Sequence, residues 1–423
     1  MKLLILGEDL VAWTLAAALA STGCRVHMTA CDLPDAASEE VEPDLSRLLD
    51  QQLEMGRLQL DCGMDQLANN SLDLLIDARD FTSQEDLLAV VQEAGFPRLV
   101  ALVQPVPLGT TDTLQEQLNG FSSQPPQVVF WPNFIQAGRA LESFTRVEQL
   151  LLGSRDAWAT RQIKRLMQPF NRSLDRFRVM TPREAELTKV AINGMLATRV
   201  SFMNELAQLA ERQDIDIEAV RQGMGADSRI GFQYLYPGCG FGGEAFLQTL
   251  EQLNTELSAS RTADQGLLTS VQTINNQQKD LLFQKLWRFY KANLAGKKVA
   301  LWGCSFKPNT SSVSGSPALH LIAALLAHEV EVVAYDPRAL PAVQKHFAGE
   351  VGLSVAASPE AAAVDADAIL VVTEWKEFWN LDLVQIKETM KHPLLLDGRN
   401  IYHPEELAEQ GWVYSGVGRG QVV

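Results

Sequence analysis

Positive charge is scarce in this 423-residue chain: 36 Lys and Arg stand against 52 Asp and Glu, a formal net charge of −16. So acidic a protein is excluded as a general nucleic-acid binder, because counterion release from phosphates needs a basic surface. A small anionic ligand stays compatible, since a few placed arginines or helix N-termini are enough to hold one. Cysteine is also sparse. Cys24, Cys31, Cys62, Cys239 and Cys304 are an odd count with no CxxC spacing, which fits a reducing cytoplasm and gives no support to structural zinc. The six histidines form no HxxxH or HExxH pair, so no histidine-based metal site is expected and the metal expectation is none. No apolar run approaches the length of a membrane span. The opening "MKLLILGEDLVAW" resembles a secretion signal superficially, but Glu8 and Asp9 interrupt it,. There are no short repeats and no low-complexity tract. A soluble, cytoplasmic protein is expected.

What is present is length and alternation. A chain of 423 residues exceeds the ~250–300 at which single cores stop growing, so two or three domains are expected. "KLLILG" (2–7) is a buried-strand run ending in glycine, "LVAWTLAAALASTG" (10–23) has helical composition and closes on Gly23, and "RVHMTA" (25–30) is a second strand,. Together they make a βαβ unit. Further strand runs lie at 72–78, 98–106, 127–132 and 148–153 with helix-compatible segments between them, which predicts a doubly wound parallel sheet. From Pro182 the pattern turns helical over a long stretch nearly free of breakers, and 263–296 is a second long helical stretch leading into the last part. The chain then returns to α/β at "KKVALWGCSF", with "VEVVAYDP", "DAILVVTEW" and "HPLLLDGRN" as further strands. The fold class is α/β: two Rossmann-like parallel-sheet domains, 1–181 and 297–423, joined by a helical domain at 182–296 with a long connecting helix.

"YPGCGFGGEAFLQTL" (236–250) puts four glycines into eight residues and runs straight into a helix-like stretch. Such a loop lets backbone approach a ligand closely. With it, in order, come "PVPLGTT" (105–111), "AELTKVAINGMLATRVSFMNE" (185–205), "SRIG" (228–231), "FKPNT" (306–310), "SPAL" (316–319), "AYDP" (334–337), "TEWKEF" (373–378), "DGRN" (397–400) and "GVGR" (416–419). In these motifs the chain resembles the UDP-glucose/GDP-mannose dehydrogenase family over essentially its whole length. "RIGFQYLYPGCGFGG" is more similar to the UDP-glucose branch than to the GDP-mannose one. The resemblance implies oxidation of a nucleotide sugar's 6-hydroxymethyl to a carboxylate with two NAD⁺, a dimer or larger assembly, and products that feed cell-surface polysaccharides.

That reaction passes through an aldehyde, which a cysteine thiolate captures as a thiohemiacetal and then a thioester. Lysine and asparagine stabilise the oxyanion and carboxylates manage protons and water. The family's glycine loop continues as GFGGSCFPKD. Here it reads "GFGGEAFLQTL", so Ala245 stands at the nucleophile, Gln248 at the lysine and Thr249 at the aspartate. The family's NPEFL glutamate falls on Asn133, and the threonine of its STVP stretch on Pro105. Lys189 and Asn193 remain of the catalytic set, one helical turn apart on one face,. Cys239, six residues before Ala245, reads either as a relocated nucleophile or as a small residue replacing the family's proline.

The cofactor motif is altered as well. The first βα turn should read GxGxxG, but Gly7 is followed by Asp9 at the second glycine, with Leu10 and Val11 before Ala12 at the third. Asp9 puts a side chain and a negative charge where backbone should meet pyrophosphate; it is equally a good N-cap for the next helix. The ribose-binding acid aligns with Ala30, and Asp32 lies two residues on. On the sugar side, the resemblance assigns ligand contacts to Arg229 (offered across the dimer), Phe241, Gly242, Gly243, Phe306, Lys307 and Arg399. The family's TDDxRES stretch reads "TSSVSGS" (310–316), losing two acids and an arginine.

Three readings follow. The first is a non-catalytic family member that keeps the fold, homodimerises or pairs with an active paralogue, and retains a nucleotide sugar, UDP-linked rather than GDP-linked. The second is an NAD-dependent oxidoreductase with modified chemistry. The third is a scaffold that binds neither ligand.

Overall fold

The computed structural model describes residues 1–30, 42–60, 72–121, 124–171, 176–259 and 266–420. Asp32, Cys31 and Cys62 lie outside the described residues. The chain divides into two compact units, Met1–Ile192 and Asn193–Val423.

The first unit carries an eight-stranded sheet. Its strands are β1 (Lys2–Leu6), β2 (Arg25–Met28), β3 (Leu58–Gln59), β4 (Leu74–Asp77), β5 (Leu99–Leu102), β6 (Gln127–Phe130), β7 (Leu150–Gly153) and β8 (Phe177–Met180), in the order β3-β2-β1-β4-β5-β6-β7-β8. From β3 to β6 all pairings are parallel; β7 runs antiparallel to β6 and parallel to β8. The strand at 148–153 is therefore present but reversed relative to the parallel expectation. The inner strands are apolar at successive positions because both faces are covered, as parallel sheets require. Leu3 and Ile5 join the core beneath the helix Leu10–Ser21, whereas Leu4 and Leu6 join the core beneath helices Gln84–Glu93 and Thr110–Asn119. The helix Leu10–Ser21 is buried continuously from Ala12 to Ala20, which explains a composition apolar all round.

The second unit carries a six-stranded, wholly parallel sheet. Its strands are β9 (Lys298–Trp302), β10 (Glu331–Tyr335), β11 (Leu353–Val355), β12 (Ala368–Val371), β13 (Leu394–Asp397) and β14 (Val413–Gly416), in the order β11-β10-β9-β12-β13-β14. Alternate residues of β9 again face opposite cores, Val299 and Leu301 on one side and Ala300 and Trp302 on the other. In both sheets the order reverses between the first and fourth strands of the unit. That is the switch point of a doubly wound fold, outside whose carboxyl ends ligands bind.

Between the sheets in sequence, the chain is helical. Pro182–Arg212 is one helix of 31 residues, followed by Ile217–Ala226, Glu244–Ala259, Leu267–Lys279 and Leu281–Phe289. The stretch expected to be continuous over 263–296 is interrupted at Asp280, whose carboxylate lies 2.6 Å from His320 Nε2.

Candidate functional site

In the first unit, β1 ends at Gly7, which adopts φ +122°, and a side chain there would come within 3.2 Å of the Ala78 carbonyl and the Ala12 methyl. Both constraints demand glycine. Asp9 then caps the helix Leu10–Ser21, its Oδ1 accepting the Ala12 N–H at 2.8 Å. Its Oδ2 accepts the Gln104 side-chain amide at 2.6 Å. Gln104 follows β5, is buried, and accepts in turn from Asn133 Nδ2 at 3.1 Å. Asn133 follows β6, also donates Nδ2 to the Val103 carbonyl, and accepts Lys189 Nζ on its own backbone carbonyl at 2.6 Å. A continuous polar chain thus runs Ala12–Asp9–Gln104–Asn133–Lys189. At the end of β4, Arg79 is bound by Asp77 and Asp86 at 2.9 and 3.0 Å. Leu10 and Val11 pack partly buried against the core.

Lys189 is 8% exposed, its ammonium lies 4.5 Å from the centre of the Phe134 ring, and burial pushes its pKa down to about 8. Between about pH 8 and the ordinary lysine value of 10.5 the unfolded chain holds a proton that the folded one lacks, so unfolding free energy rises with pH there. We expect a rise of up to about 3 kcal/mol across that window, absent in Lys189→Met. Urea titrations of both proteins at closely spaced pH values check this; parallel curves would refute it. Asn193 stands half-buried one turn further along the same helix.

A second anionic cap was not foreseen. Gly109, at φ +92°, opens the helix Thr110–Asn119. The buried Glu186 carboxylate accepts the N–H groups of Gly109 (2.6 Å) and Thr111 (3.0 Å) and the Thr111 hydroxyl (2.6 Å). The stretch "PVPLGTT" is therefore shaped by an internal carboxylate. An acid in the long helix signals this only once its partner loop is known.

In the second unit, the glycine loop is wedged among its neighbours. Gly238, Cys239, Phe241 and Gly243 donate their N–H groups to Asn204 Oδ1, the Gly398 carbonyl, Asn275 Oδ1 and the Ser314 carbonyl at 2.8–3.0 Å. A side chain on Gly242 would lie 2.4 Å from the Gly315 oxygen, and one on Gly243 would lie 3.0 Å from the Phe306 ring. Backbone at residues 315 and 316 therefore accounts for Gly242, and the Phe306 ring together with a φ of +93° accounts for Gly243. Ala245 follows in the first turn of the helix Glu244–Ala259 and exposes its methyl group. Thr249 is buried and donates its hydroxyl to the Ala245 carbonyl at 2.6 Å, which leaves it no acidic function. Cys239 is fully buried against Gly398, and burial pushes its thiol up. Such a sulfur is a packing group rather than a nucleophile.

Arg399 is largely buried beside this loop, donating Nε to the Val372 carbonyl at 2.6 Å and lying 3.2 Å from Glu374. Lys307 is half-buried with its ammonium 5.5 Å from the Phe306 ring centre. Arg229 is exposed and held by Asp227 at 2.6 Å, so its side chain is presented outward. Among the described residues, no cluster of His, Cys, Asp or Glu could hold a metal ion, and no helix is long and apolar enough to cross a membrane.

The central-domain profile of the UDP-glucose/GDP-mannose dehydrogenase family matches residues 183–277, and its UDP-binding-domain profile matches residues 300–404. UDP-glucose 6-dehydrogenase of Pseudomonas aeruginosa is 35% identical over 444 residues, covering 99% of this chain and 98% of that one. The chain belongs to the UDP-glucose/GDP-mannose dehydrogenase family. A UDP-glucose 6-dehydrogenase of Rhizobium meliloti is 33% identical over 76% of the chain and 73% of its own length. The UDP-glucose dehydrogenase structure from Pyrobaculum islandicum superposes with a TM-score of 0.84 at 25% identity, covering 99% of this chain and 97% of that one. The UDP-D-ManNAc dehydrogenase structure from Pyrococcus horikoshii shares the fold, with a TM-score of 0.81 at 21% identity and coverage of 99% and 100%. Within this family member, then, the motif positions lie on two separate units. Asp9, Asn133 and Lys189 belong to one hydrogen-bonded chain in the first, and the glycine loop, Ala245, Thr249, Phe306 and Arg399 are collected in the second.

Proposed function

We propose that this protein binds a UDP-linked sugar through its second unit and does not oxidise it. The observation that carries the reading is Ala245: at the place the family's loop motif gives to its thiolate, the first turn of the helix offers only an exposed methyl. No covalent adduct with an aldehyde forms on a methyl group. Thr249 and Asn133 support the same reading, since a hydroxyl spent on its own helix and an amide committed to Gln104 and Val103 supply no titrating acid. The UDP-binding-domain match, the retained Arg399 and the relatives named for UDP-glucose support a uridine nucleotide as ligand. Calorimetric titration with UDP-glucose tests this. Saturable heat that UDP-glucose gives and GDP-mannose does not is the expected result; no heat with either would leave a scaffold.

Lys189 favours a second reading, oxidation of the alcohol by modified chemistry, because an amine whose pKa burial lowers to about 8 is a competent base,. Its Nζ is, however, engaged by the Asn133 carbonyl.

We also propose that the helical segment 182–296 is a dimerisation domain, flanked by α/β domains 1–181 and 297–423. Met195, Phe202 and Leu209 recur every seventh residue on the long helix and are 62%, 48% and 47% exposed. An apolar stripe of that period is a seam for another helix, supplied by a second copy or by an active paralogue, in which case the role is regulatory. Phe202→Glu is expected to convert a dimer to a monomer in sedimentation analysis without changing the circular dichroism spectrum.

A further inference from the structure

The carboxyl ends of β1 and β4 form the switch-point crevice in which this fold type takes a dinucleotide, with the pyrophosphate on the first helix's N-terminus. The residues present do not fit that group. Asp9 Oδ1 already accepts the Ala12 N–H, so the helix N-terminus carries an anion that belongs to the protein. Gln104 is placed by β5, which pairs with β4, while Asp9 follows β1 on the other side of β4. The bond of 2.6 Å between Gln104 Nε2 and Asp9 Oδ2 therefore spans the end of β4. Asn133, placed by β6, steadies Gln104 from the far side at 3.1 Å. Arg79, the cation at the end of β4, is neutralised by Asp77 and Asp86.

We infer that the Asp9–Gln104–Asn133 bridge stands in the place of the dinucleotide and excludes NAD⁺ and NADH from this unit. The inference deepens the non-oxidising reading above, but a chain without a nucleophile could still bind the cofactor, so the two fail separately. The bridge gives the helix its anionic cap from within, and a pyrophosphate arriving there would meet Asp9 at like charge.

The test is NADH titration followed by nicotinamide fluorescence on the full-length chain, with a UDP-glucose titration on the same samples. The wild type is expected to show no saturation at millimolar NADH. Asp9→Asn, which keeps the cap and removes the charge, combined with Gln104→Ala, which opens the span, is expected to tighten NADH binding on the order of tenfold or more. Asp9→Asn alone is expected to give a smaller gain in the same direction, and it serves if the double variant does not fold. Sub-millimolar NADH binding by the wild type would overturn the inference. So would folded variants, judged by an unchanged circular dichroism spectrum, that gain nothing. Loss of UDP-glucose heat with the NADH results as expected would sink the proposed function and leave the bridge standing.

Discussion

Glu186→Ala is expected to destabilise the first unit by about 2–6 kcal/mol, the cost of leaving two buried backbone donors without an acceptor. Glu186 is 1% exposed, and its two oxygens receive three donors, the Gly109 and Thr111 N–H groups and the Thr111 hydroxyl. Truncation strands two backbone donors in a dry site, each at a cost of about 1–3 kcal/mol, while the hydroxyl can turn elsewhere. It also removes a negative charge from the N-terminus of the helix Thr110–Asn119, a smaller loss. Glu186→Gln keeps one acceptor oxygen but turns an NH₂ toward donors, so it is expected to fall between the wild type and Glu186→Ala. Guanidinium unfolding should show the earliest transition moving to lower denaturant in that order. Equal midpoints for all three proteins would mean that the loop 105–111 does not depend on this carboxylate.

The second large effect is expected at Gly242. A Cβ there would lie 2.4 Å from the Gly315 oxygen, 2.7 Å from the Gly315 carbon and 3.0 Å from the Ser316 nitrogen, all of them backbone. No side chain can rotate away to relieve it. Gly242→Ala must push the glycine loop off residues 314–316, threatening the bond from Gly243 N–H to the Ser314 carbonyl, at a cost of about 2–3 kcal/mol. UDP-glucose affinity is expected to fall with it. Gly240 is the control. Its φ of +99° makes alanine strained, but the nearest neighbour is the flexible Lys279 side chain. Gly240→Ala is expected to cost about 1–2 kcal/mol. Thermal melts that reversed this order would show that backbone strain, not the close approach, governs the loop.

Much of the fold was legible because buried parallel strands write themselves as continuous apolar runs. "KLLIL", "LLID" and "LLLD" admit few other readings. The strands that were not foreseen lack that signature. Leu58–Gln59 is two residues long, Phe177–Met180 is half-exposed with Arg178 in it, and Leu353–Val355 lies at a sheet edge. Val413–Gly416 is short and carries Tyr, Ser and Gly. The reversal of β7 was also invisible, since a strand's direction depends on its connection and not on its composition. At the site, Ala245, Thr249, Asn133 and Asp9 could be singled out because a motif fixes their positions. Gln104 and Glu186 could not. Gln104 meets a residue 95 positions away, and Glu186 meets residues 75 and 77 positions away, and sequence spacing says nothing about either meeting. A polar residue closing a buried apolar run, as Gln104 does two positions after the strand Leu99–Leu102, was the available hint.

The proposed function turns on the sugar being held but never oxidised. The decisive measurement is NADH and uronate formation from UDP-glucose and NAD⁺ at stoichiometric protein, run over hours and resolved by chromatography. The account predicts intact UDP-glucose throughout; steady release of UDP-linked uronate with two NADH for each sugar would contradict it.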